Sequence, residues 1–352
     1  MCRNSLGKLN LKDLTLAEMK QFLQELGEKP FRAEQICNWV LAKGVTSFDE
    51  MTNLSKDLRE KLERVAKINS GKILTRQQSA KENTIKYLFG LEDGHAVESV
   101  LMKHSYGNSA CVSTQVGCRM GCMFCASTME GLVRNLSPGE IYDQVLVIQK
   151  DCGERISHIV IMGAGEPLDN YDNVMKFLEN INAGYGLNIG YRHITLSTCG
   201  LVPKILELAQ RKLPITLAIS LHAPEDSLRD RLVPINRRYK LGELMDACRR
   251  YIEITGRRIT FEYALLSDVN DHMEQAKKLI GLLKGLLCHV NIIPANPVEG
   301  RGFERTSQEK VQAFKEVLEK GGLAVTVRRE LGTDIDAACG QLRRRYEGRE
   351  NS

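Results

Sequence analysis

The spacing of apolar positions changes character twice along this chain. Through residues 15–68 apolar side chains recur at helical intervals, and three short amphipathic helices follow from them. Thr15-Leu-Ala-Glu18 is a reciprocal capping pattern that opens the first, and Gly27 closes it ahead of Lys29-Pro30. The second covers about 32–43 and carries Trp39, the only tryptophan; the third begins after Ser55 and reads DLREKLERVAKI. From residue 73 the pattern becomes strand-like in KILTRQQ, TIKYLFG and AVESVLMKH, with a hairpin turn at Glu92-Asp93-Gly94. From residue 110 short apolar runs alternate with helical segments. Strands are expected at 110–116, 158–163, 193–198, 215–221, 259–266 and 289–294, and helices near 137–152, 170–183, 203–211, 240–255, 271–285 and 307–320. Strands this apolar are buried on both faces, so six β/α repeats predict a parallel sheet, either doubly wound or curved into a barrel. LAVTVRR at 323–329 adds a strand, and the final EGRENS has the composition of a disordered end.

In parallel β/α folds chemistry collects where strands end. After the first predicted strand comes Cys118-Arg-Met-Gly-Cys122-Met-Phe-Cys125. A four-iron cluster normally takes four thiolates; three leave one iron open to a ligand that can receive an electron. A structural zinc site is the plainer alternative, and His104 or Cys111 could supply its fourth ligand. Later strand ends bring the glycine-rich turn Gly163-Ala-Gly165-Glu166-Pro167, then Ser197-Thr198, Ser220-Leu221-His222 and Asn296-Pro297. Any one of these is ordinary loop punctuation; several on one rim suggest a site.

The 352 residues, 43% hydrophobic and 26% charged, suffice for a large α/β unit plus an appendage. A net charge of +5 permits a polyanionic partner without demanding one. No run has signal-peptide or membrane-spanning character, so a cytoplasmic address is expected. Eleven cysteines there point to metal and redox chemistry rather than disulfides. Cys2, Cys37, Cys152, Cys199, Cys248 and Cys288 sit in helical or strand-like context and read as inert packing residues.

The cysteine loop together with the Gly165-Glu166-Pro167 turn resembles the radical S-adenosylmethionine superfamily. Six stretches resemble one of its families, RlmN, across nearly the whole chain: KPFRAEQICNWV, SFDEMTNLSKDLREKL, CVSTQVGCRMGCMFCAST, ISLHAPEDSLRDRLVPINRRY, HVNIIPANP and GTDIDAACGQLRRRY. That family methylates carbon 2 of an adenine in 23S rRNA and also acts on tRNA. The resemblance implies a partial (β/α)6 barrel at 104–340, a helical RNA-recognition region at 1–72, a β-rich connection at 73–103 and a tail at 341–352. It implies that Cys118, Cys122 and Cys125 hold a [4Fe–4S] cluster. Gly165, Glu166, Ser197, Ser220, Leu221, His222 and Asn296 would bind S-adenosylmethionine. Cys339 would carry the methyl group, Cys111 would be the second catalytic cysteine, and Glu98 would accept a proton. The turn reads GAGEP where many members have GGEP, a change that preserves backbone access.

Carbon 2 of adenine is electron-poor and has no lone pair with which to attack a methyl group, whereas a thiolate is a strong nucleophile. The implied route therefore loads a methyl onto Cys339 from one cofactor molecule and uses a second to generate a 5′-deoxyadenosyl radical. That radical takes a hydrogen from the methyl, and the resulting carbon radical adds to the base. Proton loss and attack by Cys111 on the Cys339 sulfur would then release the RNA and leave a transient disulfide. The target base has to leave its stack to reach such a site. A reducing protein of flavodoxin or ferredoxin type would supply electrons. Basic pairs at Arg237-Arg238, Arg249-Arg250, Arg257-Arg258, Arg328-Arg329 and Arg343–Arg345 could meet phosphate, although each alone reads as a solvated face. Two other functions remain open on sequence: methylation at adenine carbon 8, as in Cfr, with the same cysteines, and a non-enzymatic iron–sulfur RNA-binding protein.

Overall fold

The computed structural model describes residues 7–296, 298, 300–328, 335 and 342. Helix α1 (Leu16–Glu25) starts at Thr15, whose side chain accepts from the Glu18 amide while the Glu18 carboxylate accepts from the Thr15 amide. Helix α2 (Arg32–Asn38) runs on into one wider π-turn, Trp39–Lys43, which Gly44 ends in the left-handed conformation. Helix α3 (Lys56–Val65) is capped by Ser55. Two short parallel strands, β1 (Leu9–Asn10) and β2 (Ala66–Lys67), tie the ends of this region together. Leu23, Ile36, Val40 and Leu62 are sealed from solvent and belong to the same apolar cluster as Phe89 and Ile159 of the main sheet. These helices form a layer on the larger core and share it.

That core is a ten-stranded sheet. It opens with β3 (Lys72–Gln78), β4 (Thr84–Gly90) and β5 (Ala96–His104), which pair antiparallel and then join antiparallel to β6 (Gly107–Cys111). The 73–103 segment thus extends the sheet. Beyond β6 every pairing in it is parallel, through β9 (Ile156–Ile161), β10 (Ile194–Thr198), β11 (Thr216–Ser220), β12 (Ile259–Leu265), β13 (Cys288–Pro294) and β14 (Val325–Val327). The connecting helices are α4 (Pro138–Cys152), α5 (Tyr171–Asn182), α6 (Val202–Gln210), α7 (Asp226–Leu232), α8 (Leu241–Thr255), α9 (Met273–Leu283) and α10 (Gln308–Lys320). Leu196, Leu217, Ile219, Phe261, Val290 and Ile292 are fully buried, as strands covered on both faces require. Among the described residues no helix is long and apolar enough to cross a membrane.

Two sequence expectations need correction. The strand expected at 110–116 is broken. Strand β6 ends at Cys111, and a separate strand, β7 (Gln115–Gly117), pairs antiparallel with β8 (Leu132–Asn135). The cause is polar: the Ser113 amide donates to Gln144 Oε1, the Ser113 hydroxyl donates to the Glu98 carbonyl, and the Thr114 amide donates to the Ala164 carbonyl. These bonds lift the chain off the sheet just before the cysteine loop. Helix α7 was not expected at all, since seven residues offer too few turns for a periodic signal. Of the tail expected at 341–352, only Leu342 lies among the described residues.

Candidate active site

At the carboxyl ends of the parallel strands lies a cavity of about 370 Å³. Cys118, Cys122 and Cys125 line it. The loop leaves β7 through Gly117, which has φ +75° and faces the Gly131 carbonyl so closely that an added Cβ would lie 2.0 Å from that oxygen. Only glycine fits there. The Cys118 amide then donates to the same carbonyl at 2.9 Å, and the Met123 amide donates to the Leu232 carbonyl at 3.0 Å. The Thr128 hydroxyl lies 3.0 Å from the carbonyl oxygens of both Cys122 and Cys125, and Arg301 donates to the Cys125 carbonyl at 2.8 Å. Leu228, Leu232 and Val233 pack against Met120, Cys122 and Phe124. The loop therefore has a fixed shape.

Burial pushes the Cys118 thiol up to about 12, and burial together with the other two cysteines pushes Cys122 higher. Sulfurs in this setting become thiolates only against strong positive charge. One zinc at about 2.3 Å from each sulfur would hold the sulfurs within about 4 Å of one another. Among the described residues, ligand atoms gather within 4.8 Å of one another only at Asp268, Asp271 and His272. The three thiols are spread more widely, which suits a multi-iron cluster. Arg229 adds a second fit. Its side chain is fully buried and donates to the carbonyls of Cys199, Ser220 and Leu221 and to Asn236 Oδ1. No carboxylate pairs with it among the described residues, and Cys199 and Cys122 are the groups that most favour its charge. A cluster bearing three thiolates is anionic and would lie beside this cation.

The wall next to the loop is made by the Gly163–Pro167 turn. Gly165 has φ +105° and would place a Cβ 2.6 Å from Gln115 Cβ, so backbone alone faces the cavity there. Glu166 lines the cavity too, but its carboxylate accepts from the Cys199 and Leu168 amides at 2.8 and 3.1 Å; burial raises its pKa against these bonds. Ser197 and Ser220 meet at 3.2 Å between hydroxyls on adjacent strands. His222 has φ +58°, and its Nδ1 accepts the Ala264 amide at 3.0 Å, so the neutral ring carries its proton on Nε2. Burial, with Arg229 nearby, lowers its pKa to about 3. Asn296 completes the rim. Leu221 departs from expectation: its side chain belongs to the fully buried core, its amide donates to the Glu262 carbonyl and its carbonyl accepts from Arg229 and the Ala223 amide, so it does not border the cavity.

Beside the Gly163–Pro167 turn lies Cys111, the last residue of β6, in register with Val160 of β9 on one side and Val100 of β5 on the other. Burial raises this thiol's pKa, opposed by Arg328, the Met162 amide and Lys86. Glu98 does not reach the cavity surface. It lies on the same strand face as Val100 and Met102, in a buried ion pair with Lys86, 3.0 Å between Nζ and Oε2, within electrostatic range of Cys111. Cys339 lies outside the described residues. Sequence reasoning overlooked three groups: Arg229, Lys86 and Glu262. The signal for the last two was available, a charge inside an otherwise apolar strand, TIKYLFG and ITFEYAL. Arg229 lies in a helix too short to show which face is buried.

Residues 9–68 match the family described as the ribosomal RNA large subunit methyltransferase N-terminal domain, and residues 112–280 match the radical SAM superfamily. A probable dual-specificity RNA methyltransferase RlmN of Desulforamulus reducens is 73% identical over 99% of this chain and 100% of its own length. Another so named, from Pelotomaculum thermopropionicum, is 62% identical over 96% of this chain and 92% of its own. The crystal structure of a radical SAM methyltransferase from Sphaerobacter thermophilus superposes with a TM-score of 0.90 at 45% identity, covering 95% of this chain and 98% of that one. At that identity and coverage the partial barrel, the cysteine loop and the N-terminal helices have one reading: the chain belongs to the RlmN family of radical S-adenosylmethionine RNA methyltransferases.

Proposed function

We propose that this enzyme methylates carbon 2 of an adenine in 23S rRNA and in tRNA, with Cys339 as methyl carrier and Cys111 as the thiol that releases product. The observation that carries this reading is Cys111, a thiol on the wall of the cavity that the three loop cysteines line, whose pKa burial raises and the cations Arg328 and Lys86 work to lower. A non-enzymatic RNA-binding protein has no use for such a group. Cluster and cofactor, when bound, supply one electron and a primary carbon radical, and two cofactor molecules are consumed per turnover. Cys118, Cys122 and Cys125 hold the cluster. The Gly165 backbone, the Ser197–Ser220 pair, His222 Nε2–H and Asn296 hold the cofactor. Cys339 takes up a methyl group before RNA arrives, and Glu98, paired with Lys86 just off the cavity surface, is the final acceptor of the carbon-2 proton. The adduct's one unpaired electron would pass to the cluster when bound. The Cys111 thiolate then attacks the Cys339 sulfur, forming a disulfide as the carbon–sulfur bond breaks with its electron pair on carbon, which takes a proton to become the new methyl group.

Residues 1–72 are the RNA-recognition region of this reading, and the match at 9–68 supports it. Arg249 and Arg250 on α8 do not add to it, because Asp246 and Glu253 pair with them at 2.6 and 3.0 Å. A flavodoxin- or ferredoxin-type protein supplies electrons, and the enzyme works in the cytoplasm. Carbon-8 methylation would use the same cysteines; membership in the RlmN family favours carbon 2.

Two measurements test this. Nucleoside mass spectrometry of RNA from cells lacking the protein, with and without its return, identifies the methylated adenine and carbon. Cys111→Ala should load its methyl and add to RNA but fail to release, accumulating enzyme joined to RNA through Cys339. Normal turnover by Cys111→Ala, or a conjugate that persists in the Cys111→Ala/Cys339→Ala double variant, would overturn the assignment.

A further inference from the structure

Strand β12 carries one charged residue, Glu262, in the sequence ITFEYAL. It is 4% exposed and lines the cavity. In register it stands between Ser220 of β11 and Asn291 of β13, and Asn291 stands beside Thr326 of β14. A polar ladder crosses these strands. The Thr326 hydroxyl donates to Asn291 Oδ1 at 3.0 Å and, its one hydrogen being committed, accepts from His289 Nε2–H at 2.8 Å. With its oxygen fixed in this way, Asn291 turns Nδ2 toward Glu262 and donates to Oε2 at 2.8 Å. The other oxygen, Oε1, has no hydrogen-bond partner among the described residues, and it is not among the side-chain atoms sealed away without one. The ladder therefore holds a buried carboxylate at a fixed angle with one acceptor facing the space a ligand must enter.

A ligand that fills the cavity strips water from this acceptor, which is costly unless the ligand itself brings a donor. A carboxylate accepts from an exocyclic amine and opposes a keto oxygen, the difference between adenine and hypoxanthine or guanine at purine carbon 6. Both molecules that enter this cavity, the target nucleotide and the cofactor, carry an adenosine. Arg328 lines the same cavity and acts electrostatically on Glu262 and on Cys111 alike, so the carboxylate and the thiol that resolves the thioether face one chamber. We propose that Glu262, oriented by Asn291 and Thr326, reads the exocyclic amine of the target adenine and sets the enzyme's choice of base. This rests on the carbon-2 adenine reading above, and methylation of an adenosine RNA by the wild-type enzyme is the control for that reading.

The test uses reconstituted full-length enzyme and an RNA hairpin around the mapped adenine, in three forms with adenosine, purine riboside or inosine at the target. A hydrogen bond to a charged group is worth roughly tenfold to a hundredfold in affinity. The wild-type chain should therefore prefer adenosine to purine riboside by about that factor and should reject inosine. This arm needs no variant. Glu262→Gln keeps an oxygen for Asn291 and turns a donor into the cavity, so its preference should move toward inosine. S-adenosylmethionine affinity, measured by equilibrium dialysis, should stay unchanged. Equal binding of the three hairpins by wild type overturns the proposal. So does a Glu262→Gln variant that weakens all hairpins equally, or one that loses cofactor affinity while keeping its base preference, which would assign Glu262 to the cofactor's adenosine.

Discussion

His222 sits in a left-handed backbone conformation with Nδ1 taken by the Ala264 amide and a ring contact to Phe124, centroids 4.6 Å apart. Its pKa, near 6.5 in an unfolded chain, falls to about 3 here because burial and Arg229 disfavour the imidazolium. The unfolded state therefore binds a proton that the folded state refuses, so this residue's contribution is intact above pH 6.5 and shrinks as pH falls toward 3. The slope for one such group is about 1.4 kcal/mol per pH unit. Between pH 6.5 and 5 the wild-type protein should lose about 2 kcal/mol through His222 beyond what other groups cost it. His222→Gln should lack that component in paired urea titrations at the two pH values. Parallel wild-type and variant slopes would mean the ring is protonated, or accessible, in the fold. Such behaviour cannot be read from SLHA in the sequence, since it depends on an arginine seven residues away that buries only because α7 forms.

At the scale of elements, the cysteine loop was legible because its chemistry is local, three thiols within eight residues. The parallel strands were legible because burial on both faces makes them uniformly apolar. The break after Cys111 was not, because the bonds that cause it come from Gln144, Glu98 and Ala164, distant in sequence. The charge of Glu262 stands out in its strand, but its surroundings were hidden for a related reason: they depend on register with β13 and β14, which no single strand displays. The β7–β8 hairpin and α7 form the mould for the loop, and two substitutions probe it. Gly117→Ala forces a Cβ against the Gly131 carbonyl at a positive φ and should cost about 2–3 kcal/mol. Leu232→Ala opens a cavity behind Met120 and Cys122 at a cost of about 2–4 kcal/mol. Both variants should give up iron to a chelator faster than wild type while their far-ultraviolet dichroism stays native. Iron retention equal to wild type in both would show that the loop keeps its shape without this support.

Across the whole molecule, the N-terminal helices and the barrel are joined by more than apolar contact. Lys12, 1% exposed, pairs with Asp143 of α4, also buried, and the Gly139 amide at the start of that helix donates to Asp13 at 2.9 Å. Burial raises the Asp143 pKa and Lys12 opposes it, so each charge depends on the other. Removing one partner of a buried pair typically costs about 3–5 kcal/mol, whereas replacing both with apolar side chains of similar volume costs far less. Lys12→Met should therefore lower stability by about that amount, and Lys12→Met/Asp143→Leu should recover most of it. Because the two regions share one core, the loss should appear as a shift of a single transition. Trp39, the only tryptophan, lies in the N-terminal layer with its Nε1 donating to Asn53, so its fluorescence reports that layer. Far-ultraviolet dichroism is dominated by the barrel. In urea the two signals should change together in wild type and in both variants. A fluorescence transition that precedes the dichroism transition in the wild-type protein would make the N-terminal helices an independently folding unit and their shared core a docking contact.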